Sequence, residues 1–143
     1  MKLRASLIAL TLSLPAFAAK TATPFETITP STVLTLSVDS IDFRPDLTRL
    51  YGKLIGRPHT SHRIDAAVML SGKAVLTSDD IDGVDYKRYF QWEDDGEIPV
   101  EIDFPAVKKF SAATVELDTP RGKAVTRIKK TSPKAAKKTT SRK

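Results

Sequence analysis

From Leu34 to Ile128 apolar and polar residues alternate in short runs, each closed by Gly, Pro or Asp. That period of two is what a strand with one buried face requires, and strands at this spacing favour an antiparallel sandwich or barrel. Leu34, Leu36 and Val38 share the face of a first strand, while Ile41 and Phe43 fall on the opposite parity, so a bulge or change of sheet is expected near Ser40. Ile64, Ala66, Val68 and Leu70 share the face of the next strand, with a turn at Ser71-Gly72 into a short strand from Lys73 to Thr77. Val84, Tyr86, Phe90 and Trp92 read as one face of a strand that turns at Asp94-Asp95-Gly96 and returns with Ile98, Val100, Ile102 and Phe104 inward. Ala113, Val115 and Leu117 lead to the turn Thr119-Pro120-Arg121-Gly122, and a last strand puts Val125 or Ile128 inward.

One stretch competes with this pattern. Leu47, Leu50, Tyr51, Leu54 and Ile55 match the i, i+3, i+4, i+7, i+8 stripe of an amphipathic helix, with Gly56 and Pro58 at its stop. The helical reading of 46–55 is preferred, although Gly52 would cost about 1 kcal/mol in a helix interior. As a strand, the stretch would mix Tyr51 and Ile55 with Arg49 and Lys53 on one face.

The N-terminus reads as a secretory signal: Lys2 and Arg4, an apolar run from Ala5 to Leu14, Pro15, then the small-x-small site Ala16-Phe17-Ala18. The apolar run is too short to span a bilayer, and no later run is long enough, so the mature chain is expected to carry no transmembrane segment. There is no cysteine, hence no thiol for a lipid anchor and no disulfide, and the fold must rest on its own core. The expected organisation is a signal peptide over 1–18, an extended and loosely held Thr/Pro-rich lead-in over 19–31, a β domain over 32–130 and a basic tail over 131–143. The fold class is mainly β: a small single-domain antiparallel sandwich of immunoglobulin-like type, or a barrel. The tail lacks any large apolar residue and is expected to be disordered.

The net charge of +6 conceals a division. From Ala19 to Asp118 there are 11 Lys+Arg against 17 Asp+Glu, whereas Thr119 to Lys143 holds 10 Lys+Arg and no acid. An acidic body thus carries a basic end, in which Arg127, Lys129, Lys130, Lys134, Lys137, Lys138, Arg142 and Lys143 are the candidate polyanion-binding residues. Ser132-Pro133-Lys134-Ala135-Ala136-Lys137-Lys138 resembles in composition the lysine/alanine/proline tails of linker histones; the resemblance covers the tail alone. Such a tail contacts polyanions by counterion release, or an anionic bilayer, without reading sequence.

Other candidate sites are weighed against plainer readings. His59, His62 and Asp65 in GRPHTSHRID resemble a metal set, but Pro58 opposes the helix that would align both imidazoles, and ordinary loop histidines explain them as well. Asp80-x-Asp82-Gly83 fits the middle of a calcium loop, with Asp85 a further candidate ligand, but the register fails elsewhere: the twelfth position, here Tyr89, lacks its carboxylate, and an acidic turn explains the run more simply. Tyr86, Phe90 and Trp92 suit either a binding stripe or the core, and Arg88 on their parity is anomalous; Arg88, Tyr89 and Gln91 form a candidate partner surface. There is no nucleophile elbow, no catalytic thiol and no phosphate-cradling glycine loop, and no cofactor is implied.

The first reading is an exported, non-enzymatic binding module, of inhibitor, immunity or adaptor type, in the periplasm or outside the cell. Its partner would be a protein or envelope component, with the tail held to an anionic surface. A nucleic-acid binder using the Lys-rich tail is the alternative, and a small metal-dependent hydrolase built on His59 and His62 is the third. Export makes one definite prediction: protein recovered from its native host should begin at Ala19 or Lys20. Intact-mass analysis checks this, and a cytosolic chain that retains residues 1–18 would refute it.

Overall fold

A computed structural model describes residues 22–131, and within that span every regular element is a strand. In chain order these are β1 (Thr23–Thr29), β2 (Thr35–Phe43), β3 (Leu47–Ile55), β4 (Ser61–Arg63), β5 (Ala66–Ser71), β6 (Ala74–Thr77), β7 (Asp80–Asp82), β8 (Tyr89–Gln91), β9 (Glu97–Pro105), β10 (Ala112–Thr119) and β11 (Gly122–Lys130). Nine of them make one antiparallel sheet in the order β6-β5-β10-β11-β1-β2-β3-β9-β7, while β4 and β8 pair as a separate ribbon. The expected antiparallel sandwich-or-barrel class is therefore what forms.

The sheet's outer strands, β6 and β7, are consecutive in the chain, so the sheet has to curl until its edges approach. Only Ser78 and Asp79 lie between them. The Ser78 N–H donates to Ala67 O of β5 at 2.9 Å, and the Asp79 N–H donates to Asp103 O of β9 at 3.3 Å. β1 bridges the other side: Thr23 and Pro24 pair with Ile41 and Ser40 of β2, and Phe25 to Thr29 pair with β11. Where β1 leaves β2, the Thr27 hydroxyl replaces the missing ladder, donating to Leu36 O at 3.3 Å and accepting the Val38 N–H at 3.0 Å. Both bridges, the Ser78-Asp79 link and β1, satisfy backbone groups that an open edge would leave unpaired.

The core lies inside the curl. Leu36, Ile41, Leu50, Leu54, Met69, Ile102, Val115, Leu117 and Ile128 are fully buried, each adding about 1.5–3 kcal/mol of transfer free energy in a chain without disulfides. The expected parity change in β2 is a bulge at Asp39: Val38 pairs with Gly52 and Ser40 with Tyr51, so both Val38 and Ile41 point inward.

Four expectations are corrected. Residues 46–55 are not a helix but contain β3, in which Thr48, Leu50, Gly52 and Leu54 are buried in strict alternation. The outward charges that argued against a strand find partners on β9: Arg49 makes two hydrogen bonds to Asp103 (2.7 and 3.0 Å), and Lys53 reaches Glu97 at 3.3 Å. Gly52 is needed there, since a Cβ would stand 2.5 Å from Ser37 O. The lead-in is extended but not loosely held, for β1 is paired on both sides and the β domain begins there rather than at Thr32. β5 buries Ala67 and Met69, leaving Val68 and Leu70 on the outer face. The strand expected over 84–93 is interrupted by a turn in which Lys87 has φ 64°, and β8 pairs with β4 rather than with β9.

Two buried hydroxyls, on Thr48 and Thr126, have no hydrogen-bond partner among the described residues. The same substitution should therefore act in opposite directions at two sites. Thr27→Val strands Leu36 O and the Val38 N–H, and should destabilise by about 1–3 kcal/mol. Thr126→Val removes an unsatisfied buried hydroxyl, and should stabilise by about 1 kcal/mol. Urea titration of the two variants beside the parent checks both signs.

Candidate functional site

Strand register gathers a set of lysines at one end of the curled sheet. Lys129 pairs with Ala112, and the Lys130 N–H donates to Ser111 O at 2.7 Å, so the end of β11 lies against the segment that carries Lys108 and Lys109. The turn between β5 and β6 joins the same end: the Ser71 hydroxyl donates to Ala112 O at 2.9 Å, placing Lys73 nearby. The chain leaves this end at Thr131, whose N–H donates to Pro24 O at 3.0 Å. Lys73, Lys108, Lys109, Lys129 and Lys130 are all exposed, and none closes an ion pair among the described residues. Glu26 neighbours Lys129 across the β1–β11 ladder without closing one.

This pole has an aromatic base. Phe25, Phe43 and Phe110 form a triangle with centroids 6.3, 5.9 and 4.9 Å apart, two of the contacts edge-on. Phe110 and Val107 pack on the core from the loop before β10, which fixes the loop that presents Lys108 and Lys109. Of the residues named from sequence, Lys129 and Lys130 lie in this cluster, and Arg127 stands outward on β11 between Thr114 and Thr29. Lys134, Lys137, Lys138, Arg142 and Lys143 lie outside the described residues. Sequence reasoning missed Lys73, Lys108 and Lys109, because they are far from the tail in the chain and only strand pairing joins them.

The metal candidates are not brought together. His59 Nε2 lies 2.9 Å from Asp94 at the surface, and Asp65 pairs with Arg63 at 2.7 Å. That hydrogen-bonded pairing holds the Asp65 carboxyl below the usual carboxylate range. His62 is buried, with Nδ1 accepting the Arg63 N–H at 2.9 Å and Nε2 donating to Val33 O at 3.2 Å, so both nitrogens serve the backbone. Asp80 and Asp82 point outward from β7, and Asp85 lies 4.0 Å from Arg88. Asp39, Asp82 and Glu101 border a shallow groove of about 290 Å³ beside Tyr51. Among the described residues no group of three or more His, Cys, Asp or Glu is placed to hold a metal ion.

Arg88, Tyr89 and Gln91 are exposed on and beside β8, and the turn at Lys87 turns Arg88 outward, which resolves its anomalous parity. Tyr89 is 65% exposed and carries the Arg63 guanidinium 5.0 Å from its ring centre. The aromatic stripe is core: Trp92 is 2% exposed, with Phe90 edge-on at 5.2 Å, and Tyr86 packs against the same cluster. Among the described residues no helix is long and apolar enough to cross a membrane. Searches against protein-family models, curated proteins and solved structures give no match for this chain.

Tyr86 donates to the Ser78 hydroxyl at 2.6 Å, beside the junction of β6 and β7. Burial, opposed by that hydrogen bond, pushes its phenol up to about 12. The folded state therefore keeps a proton that the unfolded chain releases near pH 10. Stability from this group is intact below about pH 10 and is lost as pH rises towards 12. Denaturant midpoints measured from pH 8 to the alkaline limit should fall across that window, and Tyr86→Phe should flatten the fall.

Proposed function

We propose that this protein is an exported, non-enzymatic binding module that holds itself against anionic polymers or surfaces by its basic pole and the Lys-rich tail beyond it. The observation that carries the reading is the set of five lysines, unpaired among the described residues, at the end where the chain leaves the sheet. Several cations elsewhere on the body do stand in ion pairs, as with Arg44–Asp42, Arg49–Asp103 and Arg63–Asp65. A cluster that leaves its charge uncompensated keeps that charge for an external partner, and neutralising phosphates or sulfates there releases counterions. The N-terminal export signal supports an envelope or extracellular anion as the target.

The test compares the parent with a chain ending at Thr131 and with a Lys108→Ser/Lys109→Ser variant. Each is titrated with heparin, anionic phosphatidylglycerol vesicles and duplex DNA over a range of salt. Melting temperature should barely change in either variant. Removing 132–143 should take most of the affinity, and the two-lysine variant should lower the DNA salt slope by about 2. Similar slopes for all three polyanions indicate an undirected grip, whereas a strong preference for DNA would move the reading to nucleic-acid binding. Unchanged affinity in both variants would refute it.

A further inference from the structure

The opposite end of the sheet carries a cleft that the basic pole does not explain. β11 runs from Gly122, beside Arg121 at this end, to Lys130 at the other, about 30 Å away for a nine-residue strand. The cleft encloses about 350 Å³, within the range of small-ligand sites. Its lining includes Arg57, Arg121, Thr35, Thr60, Leu34 and Trp92. We propose that it is a binding site for a small hydroxylated organic anion, such as a sugar acid or sugar phosphate, with Arg57 and Arg121 as its cationic clamp.

Three loops build the walls, and each is fixed before any ligand arrives. The segment before β2 is tied by Val33 N–H to the Ser31 hydroxyl (3.1 Å), by the Thr35 hydroxyl to Ser31 O (3.1 Å) and by His62 to Val33 O. The 57–60 turn is closed by the Thr60 hydroxyl on Arg57 O at 2.7 Å. It is laced to Trp92 by His59 N–H to Trp92 O (2.8 Å) and Trp92 N–H to Thr60 O (2.9 Å). Gly56 packs directly against the Trp92 ring, leaving no room for a Cβ. The third wall is the turn holding Arg121, whose N–H donates to the Thr119 hydroxyl at 3.1 Å while that hydroxyl donates to Gly122 O at 2.7 Å. A pre-ordered cleft spares a ligand the entropy of organising it.

The chemistry follows from what is already engaged. Among the described residues Arg44, Arg49, Arg63 and Arg88 each have a carboxylate partner, whereas Arg57, Arg121 and, on the outward face of β11, Arg127 have none. Of the acids on the adjoining loop, Asp94 is committed to His59, Asp95 to the Glu97 N–H at 3.2 Å and Glu97 to Lys53, while exposed Glu93 closes no ion pair with either arginine among the described residues. Two unpaired guanidiniums on one cleft match the planar, two-oxygen geometry of a carboxylate or phosphate. The Thr35 and Thr60 hydroxyls donate to backbone carbonyls, leaving lone pairs that accept from a ligand's own hydroxyls. Leu34 and Trp92 supply an apolar floor.

Trp92 is the protein's single tryptophan, so its fluorescence reports this site alone. The full chain is titrated at fixed ionic strength with glucuronate, glucose 6-phosphate and glucose, by fluorescence and by calorimetry. A saturable response to at least one of the anions, with a Kd of about 1 mM or tighter, and none to glucose is expected. Arg57→Gln and Arg121→Gln should each weaken it by about tenfold or more with unchanged melting temperature. Lys108→Ser/Lys109→Ser should leave it intact, which separates this site from the basic pole. No saturable binding of either anion by both methods, equal binding of glucose, or full affinity in an Arg57→Gln/Arg121→Gln double variant would overturn the proposal.

Discussion

The grip of two successive backbone N–H groups, Ser78 on β5 and Asp79 on β9, is what the rest of the molecule depends on. Without it the sheet would be an open ribbon with two unpaired edges and an apolar face in water. With it, one short stretch of chain serves both margins, and the sheet encloses its own core. Asp79, Asp80 and Asp103 crowd the seam, and the Tyr86 hydroxyl on Ser78 holds the seam from the side. Since the chain has no cysteine, this closure and the Thr27 bridge do the work a disulfide performs in many small domains.

The period of two in β2, β9 and β10 was legible because each of these strands buries one face throughout. Even the parity change around Ser40 could be read, since a bulge leaves its mark on the hydrophobic pattern itself. β3 was misjudged for a definable reason: its outward face alternates Leu47, Tyr51 and Ile55 with Arg49 and Lys53, and the charges are neutralised from β9, some fifty residues away. No local window contains that compensation. β5 was ambiguous because Ala67 and Met69 compete with Val68 and Leu70, and only pairing with β10 decides which pair is enclosed. The turn at Lys87 needs a positive φ at a residue that seldom adopts one, so composition gave no warning.

Long-range pairing likewise separates what could be inferred about the sites from what could not. Lys129 and Lys130 belong to the basic run and were visible in it, whereas Lys73, Lys108 and Lys109 join them only through the ends of β5 and β10. Arg57 and Arg121 stand in two turns that sequence reading treated as punctuation, and the fold brings them to one cleft. The acids of the body are spread over β7, β9 and the loop at Asp94-Asp95, and several of them lie against Arg49, Lys53 and His59.

The position of β1 has a further consequence. The first strand of the described chain sits between β2 and the last strand, β11, and holds its place only when both are present. Pairing Phe25 with Lys130 closes a loop of nearly the whole domain, a contact of high sequence separation that comes late and slowly in folding. A chain emerging from the ribosome therefore cannot complete its sheet until its final strand has been made. The domain is thus completed after its synthesis rather than in step with it, and its apolar face stays unpartnered until the last strand arrives.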